Sequence, residues 1–150
     1  MGLGRSYWHE IIDVLRAIIP VYDQVNRAIS LGKDAEYRER GIRGKVKPGN
    51  LVLDAGSGYG NMSKEALRQC NNDLCIAMLD PIPEMLARAK NEFQRKNLLI
   101  SGVFEYLPFN DNTFDAVLCG YSFRDAISIR NAIAEFQRVL KANGRLVIVD

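Results

Sequence analysis

Apolar positions in this chain alternate between a helical spacing and short unbroken runs. Ile11, Ile12, Leu15, Ile18 and Ile19 recur every three to four residues, and Val25, Ala28, Ile29 and Leu31 continue the pattern. This predicts helix over residues 7–31, in two pieces broken near Pro20 and stopped at Gly32. A short helix near 34–41 follows, and Gly41, Gly44, Pro48 and Gly49 mark a connection. Leu51-Val52-Leu53 is then a run short enough for a buried strand, ended by Asp54. Met62, Ala66, Leu67 and Cys70 share one helical face, and Leu74–Leu79 is a second strand ending at Asp80. Ile82, Met85, Leu86, Ala89 and Phe93 mark another helix, with Pro83 tolerated in its first turn.

The alternation continues to the end. Residues 98–103 and 114–120 read as the third and fourth strands, separated by a turn at Pro108 and Asn110-Asp111-Asn112. Ile129, Ala132, Ile133, Phe136, Val139 and Leu140 predict a helix ended by Asn143-Gly144, and Leu146–Val149 is the fifth strand. Strands separated by helices imply right-handed crossovers and a parallel α/β sheet covered on both faces. Such burial explains strands that are apolar throughout. An apolar last strand at a sheet edge is an aggregation hazard. The 150 residues are therefore expected either to be a fragment or to have that edge covered by something else.

The amphipathic start has three readings. It packs on its own domain, lies as a lid over a hydrophobic substrate, or rests on a membrane surface. Composition narrows the classes: 47% hydrophobic and 25% charged residues describe an ordinary globular chain, with a net charge of only +2. Arg38, Arg40, Arg43, Lys45 and Lys47 form a local basic stretch, either a solvated linker or a phosphate-binding patch. Cys70, Cys75 and Cys119 make no C-x-x-C pair and His9 stands alone, so no metal site is expected. Cysteines without a framework, no 18-residue apolar run and no signal-peptide pattern predict a cytoplasmic protein without a membrane span.

The chemistry concentrates at Asn50–Gly60. Gly56, Gly58 and Gly60 follow the first strand at every second position, where backbone can approach a ligand closely. A dinucleotide fingerprint would place a glycine at position 61, where Asn61 stands, so a nicotinamide-dependent dehydrogenase fails on spacing. Asp54, two positions before Gly56, suits a cationic or amine-bearing ligand better than a pyrophosphate. Asp80 closes the second strand 20 residues after Gly60, where a carboxylate can accept from both hydroxyls of a ribose.

The Asp54–Gly60 segment resembles motif I of the class I S-adenosylmethionine-dependent methyltransferases. Tyr22-Asp-Gln-Val-Asn26, Ile29-Ser-Leu-Gly32 and Tyr37-Arg38 look like the first signature of the ubiquinone/menaquinone biosynthesis C-methyltransferase family. Glu105–Phe109 with Asp111–Asp115, and Arg138–Lys141 with Gly144-Arg-Leu, are similar to two further segments of that family. The resemblance spans roughly residues 20–150. It implies a Rossmann-like class I methyltransferase fold of strand order 3-2-1-4-5, with an N-terminal helical segment over 1–45, a cofactor-binding core over 46–150, and the usual last strands missing. It implies S-adenosyl-L-methionine as cofactor, with Asp54, Gly56, Gly58, Tyr59 and Gly60 around its methionine part and Asp80 on the ribose. Met85, Val103 and Phe104 would meet the adenine, and Gly120 would touch the cofactor. Arg124 matches an arginine thought to help deprotonate a quinol through a water.

Departures from the family bear on the substrate. Val103 stands where a polar or acidic residue usually accepts from the adenine amine. Asp34 and Tyr37 replace histidine and tryptophan, Asp125 replaces the asparagine after the arginine, and Ala142-Asn143 replaces proline-glycine. Methyl transfer from a sulfonium needs proximity and orientation more than a nucleophile. Carbon methylation of a phenolic ring also needs its hydroxyl deprotonated or polarised. Arg124, Asp125, Tyr121 and Tyr22 are the candidates for that step.

The enzyme reading is a methyltransferase for a small aromatic or quinone-precursor acceptor, possible peripheral membrane contact and possible homo-oligomers included. A methyltransferase for another small molecule stays open within that class. The other reading is a truncated, non-catalytic binding or interaction module that holds the nucleoside, or keeps only the fold, without transfer. Cys119-Gly-Tyr-Ser122 follows the fourth strand where amino-methylating nucleic-acid enzymes carry N-P-P-Y or D-P-P-Y, so no nucleic-acid partner is expected.

Overall fold

A computed structural model describes residue 2 and residues 4–93 and 97–150. The elements are helices α1 (Arg5–Ile18), α2 (Tyr22–Ile29) and α3 (Asp34–Ile42), followed by β1 (Leu51–Ala55), α4 (Asn61–Gln69), β2 (Cys75–Asp80) and α5 (Pro83–Glu92). Then come β3 (Leu98–Ser101), β4 (Phe114–Gly120), α6 (Ile129–Val139) and β5 (Leu140–Val149). A turn of 3-10 helix at Ile19–Val21 separates α1 from α2, because Pro20 donates no backbone hydrogen bond. A second such turn, Phe123–Asp125, follows β4.

The five strands pair in parallel in the order β3-β2-β1-β4-β5. Alternate residues of each strand point to opposite faces and build two separate cores. Val52, Ile76, Met78, Ala116, Leu118 and Val147 pack with Met62, Ala66, Met85 and Ala89 of α4 and α5, and with Ile42 of α3. Leu53, Ala77, Leu79, Val117 and Cys119 pack on the other face with Ala132, Phe136 and Val139 of α6 and with Phe104 and Phe114. Ile12 and Leu15 of α1 extend the first core. Burial on both faces accounts for strands without polar alternation.

Several boundaries differ from the sequence expectation. The first strand runs to Ala55, so Asp54 lies inside it, paired with Met78 and Leu118, and does not end it. The third strand ends at Ser101, not at 103, which frees Val103 and Phe104 for the loop after it. The sixth helix ends at Val139, and Asn143-Gly144 does not stop it. Leu140 is already extended and pairs with Phe114, after which the ladder slips until Arg145 pairs with Ala116. Asn143, at φ +66, turns a bulge inside β5 and not a helix end. Lys141 anchors the start of the strand by an ion pair to Asp115 at 2.8 Å, and the second oxygen of Asp115 accepts from Leu51 N–H at 2.8 Å.

Candidate functional site

With β1 central, the chain goes one way to β2 and β3 and then returns to the other side for β4 and β5. Ligands of open α/β sheets lie at this reversal, outside the carboxyl ends of the strands. A cleft opens there, lined mostly by apolar side chains with a few polar groups, as small-molecule sites are. Its walls are Gly56 and Gly58 after β1, Asp80–Ile82 after β2, Val103–Glu105 after β3, and Ser122, Asp125 and Ala126 after β4. Met85 of α5 lines it as well.

The three glycines serve different ends. Gly56, Gly58 and Gly60 all have positive φ, at +64°, +54° and +93°. At Gly60 a Cβ would collide with the Phe93 ring and the Met78 methyl, so this glycine lets α4 and α5 close onto the sheet. At Gly58 a Cβ would meet nothing nearer than Tyr22, 3.9 Å away, so its missing side chain leaves cleft space open. At Gly56 the neighbours are Ser122 and Phe104, and Ser122 Oγ donates to the Gly56 carbonyl at 3.2 Å.

Two carboxylates are folded into this turn. Asp80 Oδ2 accepts from Gly58 N–H at 2.7 Å and Oδ1 from Ile82 N–H at 2.9 Å, which pins the glycine loop against the end of β2. Burial pushes the Asp80 carboxyl up to about 6, against the pull of those two bonds. Asp54 is fully buried, and its Oδ2 accepts both Ser63 N–H at 3.0 Å and Ser63 Oγ–H at 2.6 Å. Its other oxygen, Oδ1, has no partner among the described residues. Burial drives Asp54 up to about 7, opposed by the Ser63 bonds. A buried acceptor left open beside a glycine cradle fits an ammonium or another cation.

Helix α1 roofs the cleft. Gly4 N–H donates to the Ile127 carbonyl at 3.0 Å at one end, and Arg16 pairs with Glu84 of α5 at 3.2 Å at the other. Between these ties Trp8, Ile12 and Leu15 line the cleft beside Tyr22 of α2. Tyr22 packs edge-on against Tyr59, with ring centroids 5.5 Å apart, and burial raises its hydroxyl above the ordinary range for a phenol. Asp125 is pushed up to about 6, by burial first, with Arg124 opposing and Asp150 adding to the shift.

Of the residues singled out in the sequence, Gly56, Gly58, Asp80, Met85, Val103, Phe104, Asp125 and Tyr22 border the cleft, and Asp54 and Gly60 lie directly beneath its loop. Tyr59 is buried under α2, with the Arg88 guanidinium 4.4 Å from its ring. Burial and the Asp23 carboxylate push its hydroxyl far above the usual value. Gly120 faces Met62, not the cleft. Arg124 lies in a neighbouring depression with Tyr37, Tyr121 and Asp150, where it donates from Nε and Nη2 to Asp150 Oδ1 at 2.8 and 2.6 Å. Sequence reasoning did not find Trp8, Ser63, Ser122 or the buried Glu105, which accepts from Ser128 N–H at 2.9 Å. The α1 periodicity signalled a buried face without saying what it would cover.

Among the described residues no group of His, Cys, Asp and Glu could hold a metal ion, and no helix is long and apolar enough to cross a membrane. A family model described as a methyltransferase domain matches residues 53–148. The chain is 32% identical to a 2-phytyl-1,4-naphtoquinone methyltransferase of Trichormus variabilis over 149 residues, 95% of this chain and 65% of that one. It is 33% identical to a demethylmenaquinone methyltransferase of Deinococcus radiodurans, over all of this chain and 64% of that one. It thus spans about two thirds of the length of these curated relatives. A Methanococcus maripaludis structure, described as an S-adenosyl-L-methionine-dependent methyltransferase, superimposes with a TM-score of 0.72 at 21% identity, covering 87% of this chain and 61% of that one. That likeness shows the fold.

Proposed function

This chain belongs to the methyltransferase-domain family, of the class I S-adenosylmethionine-dependent type, and from that premise we propose that it binds this donor in the cleft and methylates a small-molecule acceptor. The observation that carries the reading is the glycine loop bonded to Asp80, with the open oxygen of Asp54 beneath it. When bound, S-adenosylmethionine supplies an electrophilic sulfonium methyl with a neutral thioether leaving group.

The residues present suit that ligand. Asp80 has lone pairs left for ribose hydroxyls after accepting its two backbone bonds. Ile82, Met85, Val103 and Phe104 offer an apolar slot for a purine. Gly58 leaves room for the amino-acid tail, and Asp54 Oδ1 is an acceptor for its ammonium. Trp8, Ile12 and Leu15 exclude water from above, which strengthens electrostatic contacts inside. Asp125, pushed up to about 6, and Tyr22 are the cleft groups able to hold or take an acceptor's proton.

The acceptor in this reading is aromatic or a quinone precursor. The apolar α1 wall and the names of the curated relatives support it. The cysteines Cys70, Cys75 and Cys119 are free, which supports a reducing compartment such as the cytoplasm.

Calorimetric titration with S-adenosylhomocysteine and, separately, NAD tests the cofactor. Micromolar binding of the first alone is the expected result; no binding of it, or binding of NAD in its place, overturns the assignment. One observation favours a second reading, a donor-binding module without transfer: Arg124 is engaged by Asp150 outside the cleft. Radiolabelled methyl transfer to a quinol panel, by a chain that binds donor, separates the two.

A further inference from the structure

The amides that would attract an anion to this end of the sheet are already spent. Helices α4, α5 and α6 follow β1, β2 and β4, and a helix N-terminus beside a glycine-rich loop is a ready-made anion site. In this chain each of the three starts is filled by a carboxylate of the protein itself. Asp54 accepts from Ser63 N–H in the first turn of α4 at 3.0 Å, and Asp80 from Ile82 N–H ahead of α5 at 2.9 Å. Glu105 accepts from Ser128 N–H ahead of α6 at 2.9 Å. The glycine loop is closed in the same way: Ser57, Gly58 and Gly60 give their N–H groups to the Leu79 carbonyl, Asp80 Oδ2 and the Ser57 carbonyl.

Charge along the cleft has one sign. Asp80, Glu105 and Asp125 line it, fully buried Asp54 lies beneath, and no lysine, arginine or histidine is among the described residues of its wall. Asp80 and Asp125 stand on opposite sides of β1, one after β2 and the other after β4. The first goes with the ribose in the donor reading, which leaves Asp125 for the acceptor. Glu105 follows β3 in the chain, but its bond to Ser128 holds it at the start of α6, next to the turn that carries Asp125. Arg124 is drawn into the neighbouring depression by Asp150 at 2.6 Å. The two members of that pair act on Asp125 in opposite directions, so the Asp125 charge is left without net compensation.

Resting on the methyltransferase reading above, we propose that the acceptor end of the cleft is a charge filter, in which Asp125 and Glu105 admit acceptors without an anionic group and turn away those that bear a carboxylate. An anionic acceptor would add like charge to a hollow that has no cation or spare amide to receive it. Trp8, Ile12 and Leu15 roof the same space with apolar surface, so little water is left to screen the repulsion. An uncharged phenol or quinol meets acceptors for its hydroxyls in Ser122 and Asp125 instead.

The test is calorimetry on the whole chain, saturated with S-adenosylhomocysteine, at low salt and at a pH well above the value of about 6 at which Asp125 titrates. The probes are 4-hydroxybenzyl alcohol, 4-hydroxybenzoate and 4-hydroxybenzylamine, which are close in size and differ in the charge of one substituent. The unmodified protein is expected to bind the alcohol about 30-fold more tightly than the benzoate, the scale of one like charge nearby in a partly buried site. It binds the amine at least as tightly as the alcohol. Asp125→Asn narrows the gap between alcohol and benzoate about tenfold, whereas Asp125→Glu, which restores the charge, keeps it. Glu105→Gln retains an acceptor for Ser128 N–H and narrows the gap about threefold. Retained affinity for S-adenosylhomocysteine reports that the cleft is intact in each variant.

Equal affinity of the unmodified protein for the three probes, or binding of none of them, overturns the filter and leaves the donor reading standing. So does a gap that survives in both Asp125→Asn and Glu105→Gln, or one that Asp125→Glu abolishes as fully as Asp125→Asn does. Loss of S-adenosylhomocysteine affinity in Asp125→Asn assigns that carboxylate to the donor and overturns the proposal as well. Failure of S-adenosylhomocysteine to bind the unmodified protein removes the donor reading and the filter together.

Discussion

Two hollows open at the same end of the sheet, and they hold charge in opposite ways. In the cleft over β1 and β2, Asp54 and Asp80 are buried, and burial pushes their carboxyls up to about 7 and about 6. In the depression beside β5, Arg124 pairs with Asp150 at 2.6 Å with half of its side chain in solvent. Water already stabilises the second pair, so its formation adds little. The buried carboxylates pay a desolvation cost that Ser63, Gly58 and Ile82 offset only in part. The side where charge is held against a cost is where a ligand has something to offer.

The largest effect to test is on the frame of the cleft. Gly60→Ala places a methyl at φ +93 against Phe93 and Met78, so both left-handed strain and overpacking oppose it. A loss of about 2–4 kcal/mol in denaturant-induced unfolding is expected. Its counterpart across the sheet, Gly144→Ala, sits in the β5 bulge and does not touch the cleft. If Gly60→Ala unfolds at the same denaturant concentration as the unmodified chain, the glycine loop is not a tightly packed corner.

Next comes Asp80→Ala, which frees the Gly58 and Ile82 N–H groups and removes the carboxylate proposed to accept from the ribose. Affinity for S-adenosylhomocysteine is expected to fall by about 100-fold or more. Unchanged affinity would mean that the cleft holds its ligand without the one side chain bonded to its glycine loop.

A smaller effect follows from Asp54 and depends on pH. Its carboxyl titrates at about 7 folded against 3.8 for the ordinary value, so between those values the folded chain carries a proton that the unfolded chain has released. Folding therefore takes up a proton in this window, and the contribution of Asp54 to stability falls as pH rises from about 4 to 7. Asp80, raised to about 6, acts in the same direction between about 4 and 6. Asp54→Asn keeps an acceptor for Ser63 and abolishes its share of the slope, with a gain of about 1–2 kcal/mol expected at pH 8. Unfolding curves at pH 5 and pH 8 decide it; an unchanged slope in the variant would sink the burial argument. Bound ammonium favours the ionised carboxylate, so S-adenosylhomocysteine affinity should rise with pH over the same window.

How much of this was legible in the sequence follows the same division. Parallel strands buried on both faces leave unbroken apolar runs, so each of the five strands could be read from Leu51, Leu74, Leu98, Phe114 and Leu146 onward. Gly56, Gly58, Gly60, Asp54 and Asp80 were legible because they lie within a few residues of strand ends, where local spacing fixes position. The roof was not. Trp8, Ile12 and Leu15 reach the cleft through packing of α1 on the core and through contacts such as Gly4 to Ile127 and Arg16 to Glu84, which join segments that local periodicity does not connect. Asn143-Gly144 misled for a related reason: a left-handed residue suits a helix end and a strand bulge equally, and pairing with β4 decides between them.

The smallest expected effect bears on Arg124, which sequence pattern alone would place with the reacting groups. Its guanidinium donates twice to one oxygen of Asp150, and its backbone N–H donates to the other at 3.1 Å. Half-exposed pairs of this kind contribute about 0–1 kcal/mol, so Arg124→Ala should barely shift the unfolding midpoint. Nor should it change affinity for S-adenosylhomocysteine, since Arg124 does not line the cleft. Its removal does leave Asp150 and Asp125 without their nearest cation, which pushes the Asp125 carboxyl further up from about 6. A methyl-transfer rate that depends on Asp125 as base would then keep its donor affinity and move its pH profile to higher pH. A loss of donor binding in Arg124→Ala would join the two hollows into one site and end the distinction between them.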